Sequence, residues 1–134
     1  MSSQLKHFIR YQFPAIGWAM IIFIASSVPA NYIPTYKIFH HDKIIHATLF
    51  FIFGIFVYRA LEPFVKKSKF DFGRLFFSIS VVILYGVLDE FHQGYVPGRT
   101  VDLWDATADT IGGILAAIAI YIVYVRKRSA TGNK

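Results

Sequence analysis

Four apolar stretches, roughly residues 13–28, 44–61, 73–88 and 106–125, alternate with short polar connections along the chain. A membrane-spanning helix needs about 20 residues, with a range of roughly 17–25. The first and third apolar cores are slightly short. Each extends by a few residues into interfacial flanks, so the pattern predicts four transmembrane helices. Polar and turn residues mark the expected helix ends. Pro29 and Pro34 bracket the exit of the first helix. Asp42 starts the second and Pro63 ends it. Val96-Pro97-Gly98 reads as a turn. Asp102 is the expected N-cap of the fourth helix, with Asp105 in its first turn. No internal repeat or low-complexity linker interrupts this plan. The expected fold class is all-α, an integral membrane bundle of four transmembrane helices. It forms one domain over residues 1–134, with basic tails at about 1–12 and 126–134.

A secretory signal peptide is the competing reading of the first segment. Residues 1–10 carry positive charge, and Ser26-Ser27-Val28-Pro29-Ala30 offers small residues. Pro29 sits badly for cleavage and the apolar core is long, so the segment reads as a retained helix. Basic residues set the expected orientation. Lys6 and Arg10 precede the first helix. Arg59, Lys66, Lys67, Lys69 and Arg74 line the second connection, and Arg126, Lys127, Arg128 and Lys134 follow the fourth helix. These are eleven of the fourteen Lys and Arg residues. Cytoplasmic connections carry the Lys/Arg excess, so both termini are expected in the cytoplasm. The first and third connections then lie outside, with six of the eight acids and four of the five histidines.

Composition agrees with a membrane protein. Charged residues make up 16% of the chain and hydrophobic ones 55%; soluble domains hold about 25% charged residues. The formal charge of +6 resembles a nucleic-acid signal. The basic residues flank apolar segments instead of forming one patch, so no nucleic-acid partner is expected. The chain has no cysteine, which excludes disulfides, thiolate metal sites and a cysteine nucleophile.

Residues 85–113 hold five of the eight acids, with His92 and Arg99. Ionisable groups at a membrane boundary are costly to dehydrate, so a dense cluster there needs a reason. Three groupings stand out. In the first, Asp42, Lys43 and His46 share a helix face, and His46 lies about one turn inside the apolar segment. A cap, a snorkelling lysine and an interhelical hydrogen bond would account for them without further function. In the second, Asp89 and Glu90 end the third helix beside His92 and Gln93. Carboxylates at a helix C-terminus oppose the macrodipole and repel each other. A cation, a histidine or a shared proton is expected to compensate. In the third, Asp102, Asp105 and Asp109 form a helical stripe, with Arg99 the expected cation for it or for a ligand phosphate or carboxylate. Capping explains Asp102 and Asp105 but not Asp109. Downstream, Gly112, Gly113, Ala116 and Ala117 favour close helix packing.

No standard catalytic signature is present. Asp, Glu and His donors suit a hard or borderline divalent metal, but the linear spacing does not require one, and no cofactor is assigned. The combined pattern Asp42-Lys43-x-x-His46, Tyr85-Gly86-x-x-Asp89-Glu90-x-x-Gln93, Pro97-Gly98-Arg99, Asp102, Asp105 and Gly112 resembles the VanZ-like family over about residues 42–113. That resemblance implies a small bacterial integral membrane protein. The family's namesake is associated with resistance to the glycopeptide teicoplanin. Asp42, Lys43, His46, Asp89, Glu90, Gln93, Arg99, Asp102 and Asp105 carry over from the family motif. The family position nearest Asp109 is commonly polar, often asparagine, and Asp109 departs from it. The resemblance implies a phenotype and a motif set rather than an established reaction.

The expected location is the bacterial cytoplasmic membrane, multi-pass. The leading functional expectation is a binding or resistance module. An outward cleft would recognise a lipid, a cell-wall precursor or a glycopeptide antibiotic through Asp42, Lys43, Gln93, Arg99, Asp102, Asp105 and Asp109. The alternative is a membrane-embedded enzyme on a lipid-linked phosphate or other envelope substrate. His46, Asp89 and Glu90 would then be catalytic, doing acid/base work. An ion-coupled transporter ranks third. Four helices are few for alternating access, and the ionisable residues lie at one face rather than the midplane. A homo-oligomer would relieve the first objection.

Overall fold

The computed structural model describes residues 2–32, 39–62 and 70–131. Helices dominate, with no strand among the described residues. In chain order they are α1 (Ser3–Tyr11), α2 (Phe13–Ser26), α3 (Phe39–Ala60), α4 (Phe72–Gln93) and α5 (Leu103–Thr131), with a 3-10 turn at Ala30–Tyr32 after α2. Three helices are long and apolar enough to cross a membrane, over Asp42–Ala60, Phe72–Gln93 and Leu103–Ala130. The α1–α2 pair makes a fourth only if its two pieces, bent by 44°, count as one broken span.

Pro14 gives the break its cause. It has no N–H to donate to the Arg10 carbonyl, and its ring crowds that carbonyl. The chain leaves the helix at Gln12 and restarts with Pro14 in the first turn of α2. The stretch expected as a basic tail is thus a helix of its own. Ser2 caps it, its Oγ accepting from the Leu5 amide at 3.3 Å. Leu5, Phe8 and Ile9 are exposed on it beside Lys6 and Arg10. The other expected tail is also helical. No Gly or Pro occurs from Ile114 to Thr131, and Lys and Arg are good helix formers, so α5 continues through Arg126, Lys127 and Arg128.

Further helix ends differ from the sequence pattern. α3 starts at Phe39, which places Asp42 inside its first turn. Pro34 and Pro63 lie outside the described residues. Asp71 caps α4 by accepting from the Arg74 amide at 3.0 Å. α4 then runs to Gln93, so Asp89 and Glu90 belong to its last turns.

The core joins α2, α3 and α4 through Ala15, Ile22, Phe50, Phe53, Val57 and Val82. Two polar ties register α2 against it. Trp18 Nε1 donates to the Leu49 carbonyl at 2.9 Å, and the Tyr85 hydroxyl to the Ala19 carbonyl at 2.7 Å. Between α3 and α5 small residues meet, as the sequence pattern implies. A Cβ on Gly54 would lie 2.9 Å from Ala116 Cβ, and one on Gly112 only 2.3 Å from the Ala47 carbonyl oxygen. Large apolar side chains, among them Phe76, Phe77, Leu84, Leu115 and Ile118, remain exposed. Apolar surface on this scale belongs against lipid rather than water.

At one end of the bundle the exit of α2 and the α4–α5 connection dock on each other. The Ala30 amide donates to the Pro97 carbonyl at 3.2 Å. Gly98 turns the chain there with φ of +76°, and a Cβ on it would stand 3.1 Å from Ala30 Cβ. Gly98→Ala should therefore destabilise the protein by about 1–3 kcal/mol, read as a lower thermal midpoint in detergent.

Candidate functional site

The polar residues gather at that same end, where α2 and α4 finish and α3 and α5 begin. The aspartate stripe of α5 faces α3. Asp102 and Asp105 both bind Lys43 Nζ, Asp102 at 2.5 Å. One turn deeper, His46 Nδ1 lies 3.0 Å from Asp109 Oδ1. Two adjacent helices thus match Lys43 and His46, three apart, with Asp105 and Asp109, four apart. This accounts for Asp109, which capping alone leaves unexplained. Asp102 is also the N-cap expected from sequence, accepting from the Trp104 amide at 2.8 Å through Oδ1.

Hydrogen bonds hold the α4 carboxylates, and a histidine, one of the expected compensating groups, also lies close to Glu90. Asp89 Oδ2 lies 2.8 Å from Ser26 Oγ and accepts from Gln93 Nε2 at 3.0 Å. Glu90 Oε2 accepts the Asp102 amide at 2.8 Å, and Oε1 accepts from Gln93 Nε2 at 3.3 Å. The unfavourable C-terminus of α4 is therefore set against the favourable N-terminus of α5, whose free amides attract a carboxylate. Asp89, Glu90 and Gln93 are all buried. His46, Glu90 and Asp109 come together: one ligand-type atom from each lies within 4.8 Å of the others. Asp42, His46 and Asp105 form a second such group, with Asp42 exposed.

Arg99 does not meet the stripe. Its Nε donates to the Val28 carbonyl at 3.3 Å, and it makes no ion pair among the described residues. The turn at Gly98 carries it toward the exit of α2, where it acts as a strut. Ser26 is the residue that sequence reasoning misses. It reads only as a small residue near a helix end, and its partner Asp89 lies 63 positions away. His92 stands beside this group, its Nε2 3.0 Å from Ser27 Oγ and its ring stacked on Phe23.

The VanZ/LLP1 family model matches residues 8–124. The chain belongs to the VanZ/LLP1 family. No curated protein and no solved structure matches it significantly. With its apolar helices, VanZ/LLP1 membership makes this a multi-pass membrane protein. The matched region takes in α2, α3 and α4 whole, most of α5 and every residue of the polar end described above.

One group of this VanZ/LLP1 chain lies just outside the spans and gives a pH prediction. Lys43, and then the Trp104 amide, hold the Asp102 carboxyl below its ordinary value of 3.8. The folded pKa is the lower one, so the contribution of Asp102 to stability is complete above the unfolded value. It is lost as pH falls through the folded value. Thermal midpoints of the parent and Asp102→Asn should therefore differ at neutral pH, begin to converge only as pH falls below about 4, and meet below the depressed folded value.

Proposed function

We propose that this VanZ/LLP1 protein sits in the bacterial cytoplasmic membrane with both termini in the cytoplasm. Its polar end then faces outward and binds an envelope ligand: a lipid, a cell-wall precursor or a glycopeptide antibiotic. Asp42, Lys43, Gln93, Asp102, Asp105 and Asp109 supply the polar groups, and a contribution to glycopeptide resistance follows. The observation that carries this reading is the concentration of buried ionisable groups at one end of an apolar bundle. Asp89, Glu90, Asp105, Asp109 and His46 are all buried there. So costly an arrangement exceeds what holding four helices together requires. Exposed Tyr32, Tyr95 and Trp104 at the same end suit the membrane–water interface.

A second reading, an enzyme on a lipid-linked substrate, is favoured by His46 and Asp109. A histidine oriented by a buried aspartate, with Glu90 in the same cluster, is an arrangement able to move protons. Arg99 is anchored through Nε to the Val28 carbonyl, and the terminal nitrogens of its guanidinium remain the part that would meet an anionic group of the ligand.

Orientation is tested by single cysteines in this cysteine-free chain. Thr100→Cys should react with a membrane-impermeant thiol reagent in intact cells, and Ser129→Cys should not. The reverse labelling would put the polar end in the cytoplasm. Ser68, a natural marker for the other side, lies outside the described residues. Function is tested with Glu90→Gln in a deletion strain, scored for teicoplanin susceptibility and normalised to protein level. The substitution keeps size and removes the charge, so the phenotype should fall while thermal stability stays near the parent's. Full complementation would leave Glu90 a bracing residue only. Arg99→Lys should instead lower stability and function together, because it loosens a strut.

A further inference from the structure

Asp109 holds a polar atom that its pairing with His46 leaves unsatisfied. The residue is fully buried, with 0% exposure. Oδ1 faces His46, whereas Oδ2 has no hydrogen-bond partner among the described residues. Burying a carboxylate oxygen without a donor is strongly unfavourable. Space is kept beside it by the absence of a side chain on α4. A Cβ on Gly86 would lie 3.1 Å from Oδ2 and 3.0 Å from Asp109 Cβ. Gly86 shares its helix face with Glu90, one turn on.

We propose that His46, Glu90 and Asp109 hold a divalent first-row metal ion of the zinc class. The donor set is one imidazole nitrogen and two carboxylate oxygens, which suits a borderline ion better than calcium or magnesium. The ligand-type atoms lie within 4.8 Å of one another. Around a four-coordinate zinc ion at about 2.0–2.2 Å they would lie roughly 3.4 Å apart, a closure that side-chain rotation supplies. The charge also fits, since a divalent ion balances two buried carboxylates. The alternative group of Asp42, His46 and Asp105 is the poorer site, because Asp42 is exposed and Asp105 is bound by Lys43. The helices fix the three ligands from three directions: α3 gives His46, α4 gives Glu90 and α5 gives Asp109. Ser26 and Gln93 stand behind, holding neighbouring Asp89. Three protein ligands leave a position open, as in sites that bind a substrate oxygen or a water. An ion there would polarise a phosphoryl or carbonyl oxygen.

The test is zinc binding by the purified full chain in detergent, stripped with chelator and dialysed against Zn²⁺. Bound metal is measured by elemental analysis, and the thermal midpoint is followed against Zn²⁺ concentration. The expected result is one zinc per chain, with a midpoint that rises as zinc is added. Glu90→Gln and Asp109→Asn should each weaken binding by about 10-fold or more, at least the loss that follows when a residue that only supports a metal ligand is removed. His7→Ala, remote from the cluster, should leave it unchanged. If Asp109→Asn does not fold, Glu90→Gln and His46→Gln decide the matter. Zinc that stays bound with unchanged affinity in these variants, or a parent chain that binds none, overturns the site. The metal count does not depend on which envelope ligand is bound, so its failure would leave the ligand-binding reading intact.

Discussion

Gly112→Ala should cost this protein more stability than other glycine-to-alanine exchanges in its helices, on the order of 3 kcal/mol or more. The added Cβ would lie 2.3 Å from the Ala47 carbonyl oxygen and 2.9 Å from the Phe51 amide nitrogen. Both are backbone atoms of α3, so no side chain can rotate away. The two helices must separate, and the contacts on either side of Gly112 separate with them. Gly54 against Ala116 and Gly113 against Val82 lie in the same packed layer. Gly17→Ala is the matched control. A Cβ there meets nothing within 4 Å, and alanine is the better helix former by about 1 kcal/mol. Thermal unfolding of both variants in detergent should give a lower midpoint for the first and an unchanged or higher one for the second. Equal midpoints would show that α3 and α5 do not approach as closely as the structure has them.

That layer was legible in the sequence because its signal is local. Gly112, Gly113, Ala116 and Ala117 place small residues on one helix face, and close packing follows from spacing alone. The Asp102 cap was legible for the same reason. Partners that lie far apart in the chain were not. Ser26 could not be matched to Asp89 without knowing that α2 and α4 end together. Charge suggested that Arg99 would find the aspartate stripe, but the direction of its side chain depends on the turn at Gly98. The stripe turned instead to Lys43 and His46, which the sequence had already placed on one helix face. Pro14 explains the break between α1 and α2, although the apolar pattern on either side carries no trace of it. α5 is longer than its apolar run, which ends at the basic residues while the helix-forming residues continue to Thr131.

His46→Leu should destabilise the folded protein by about 3–5 kcal/mol, the usual cost of breaking a buried pair from one side. Asp109 would be left fully buried with neither oxygen engaged by His46. The double variant His46→Leu/Asp109→Leu removes the stranded carboxylate as well, and stability should recover in large part. Buried ion pairs replaced on both sides by apolar residues are often as stable as the parent. The pair can therefore be separated into its two roles. If His46 and Asp109 only brace α3 against α5, the double variant should regain the envelope phenotype along with its thermal midpoint. If they form a site, the midpoint should return and the phenotype should not. Both measurements come from the same strains, with susceptibility normalised to the amount of protein in the membrane. A double variant that is stable and fully active would reduce the polar end of this VanZ/LLP1 protein to a structural network. One that is stable and inactive would assign the buried pair to function, because a hydrocarbon replacement can restore packing but cannot bind a charged ligand or move a proton.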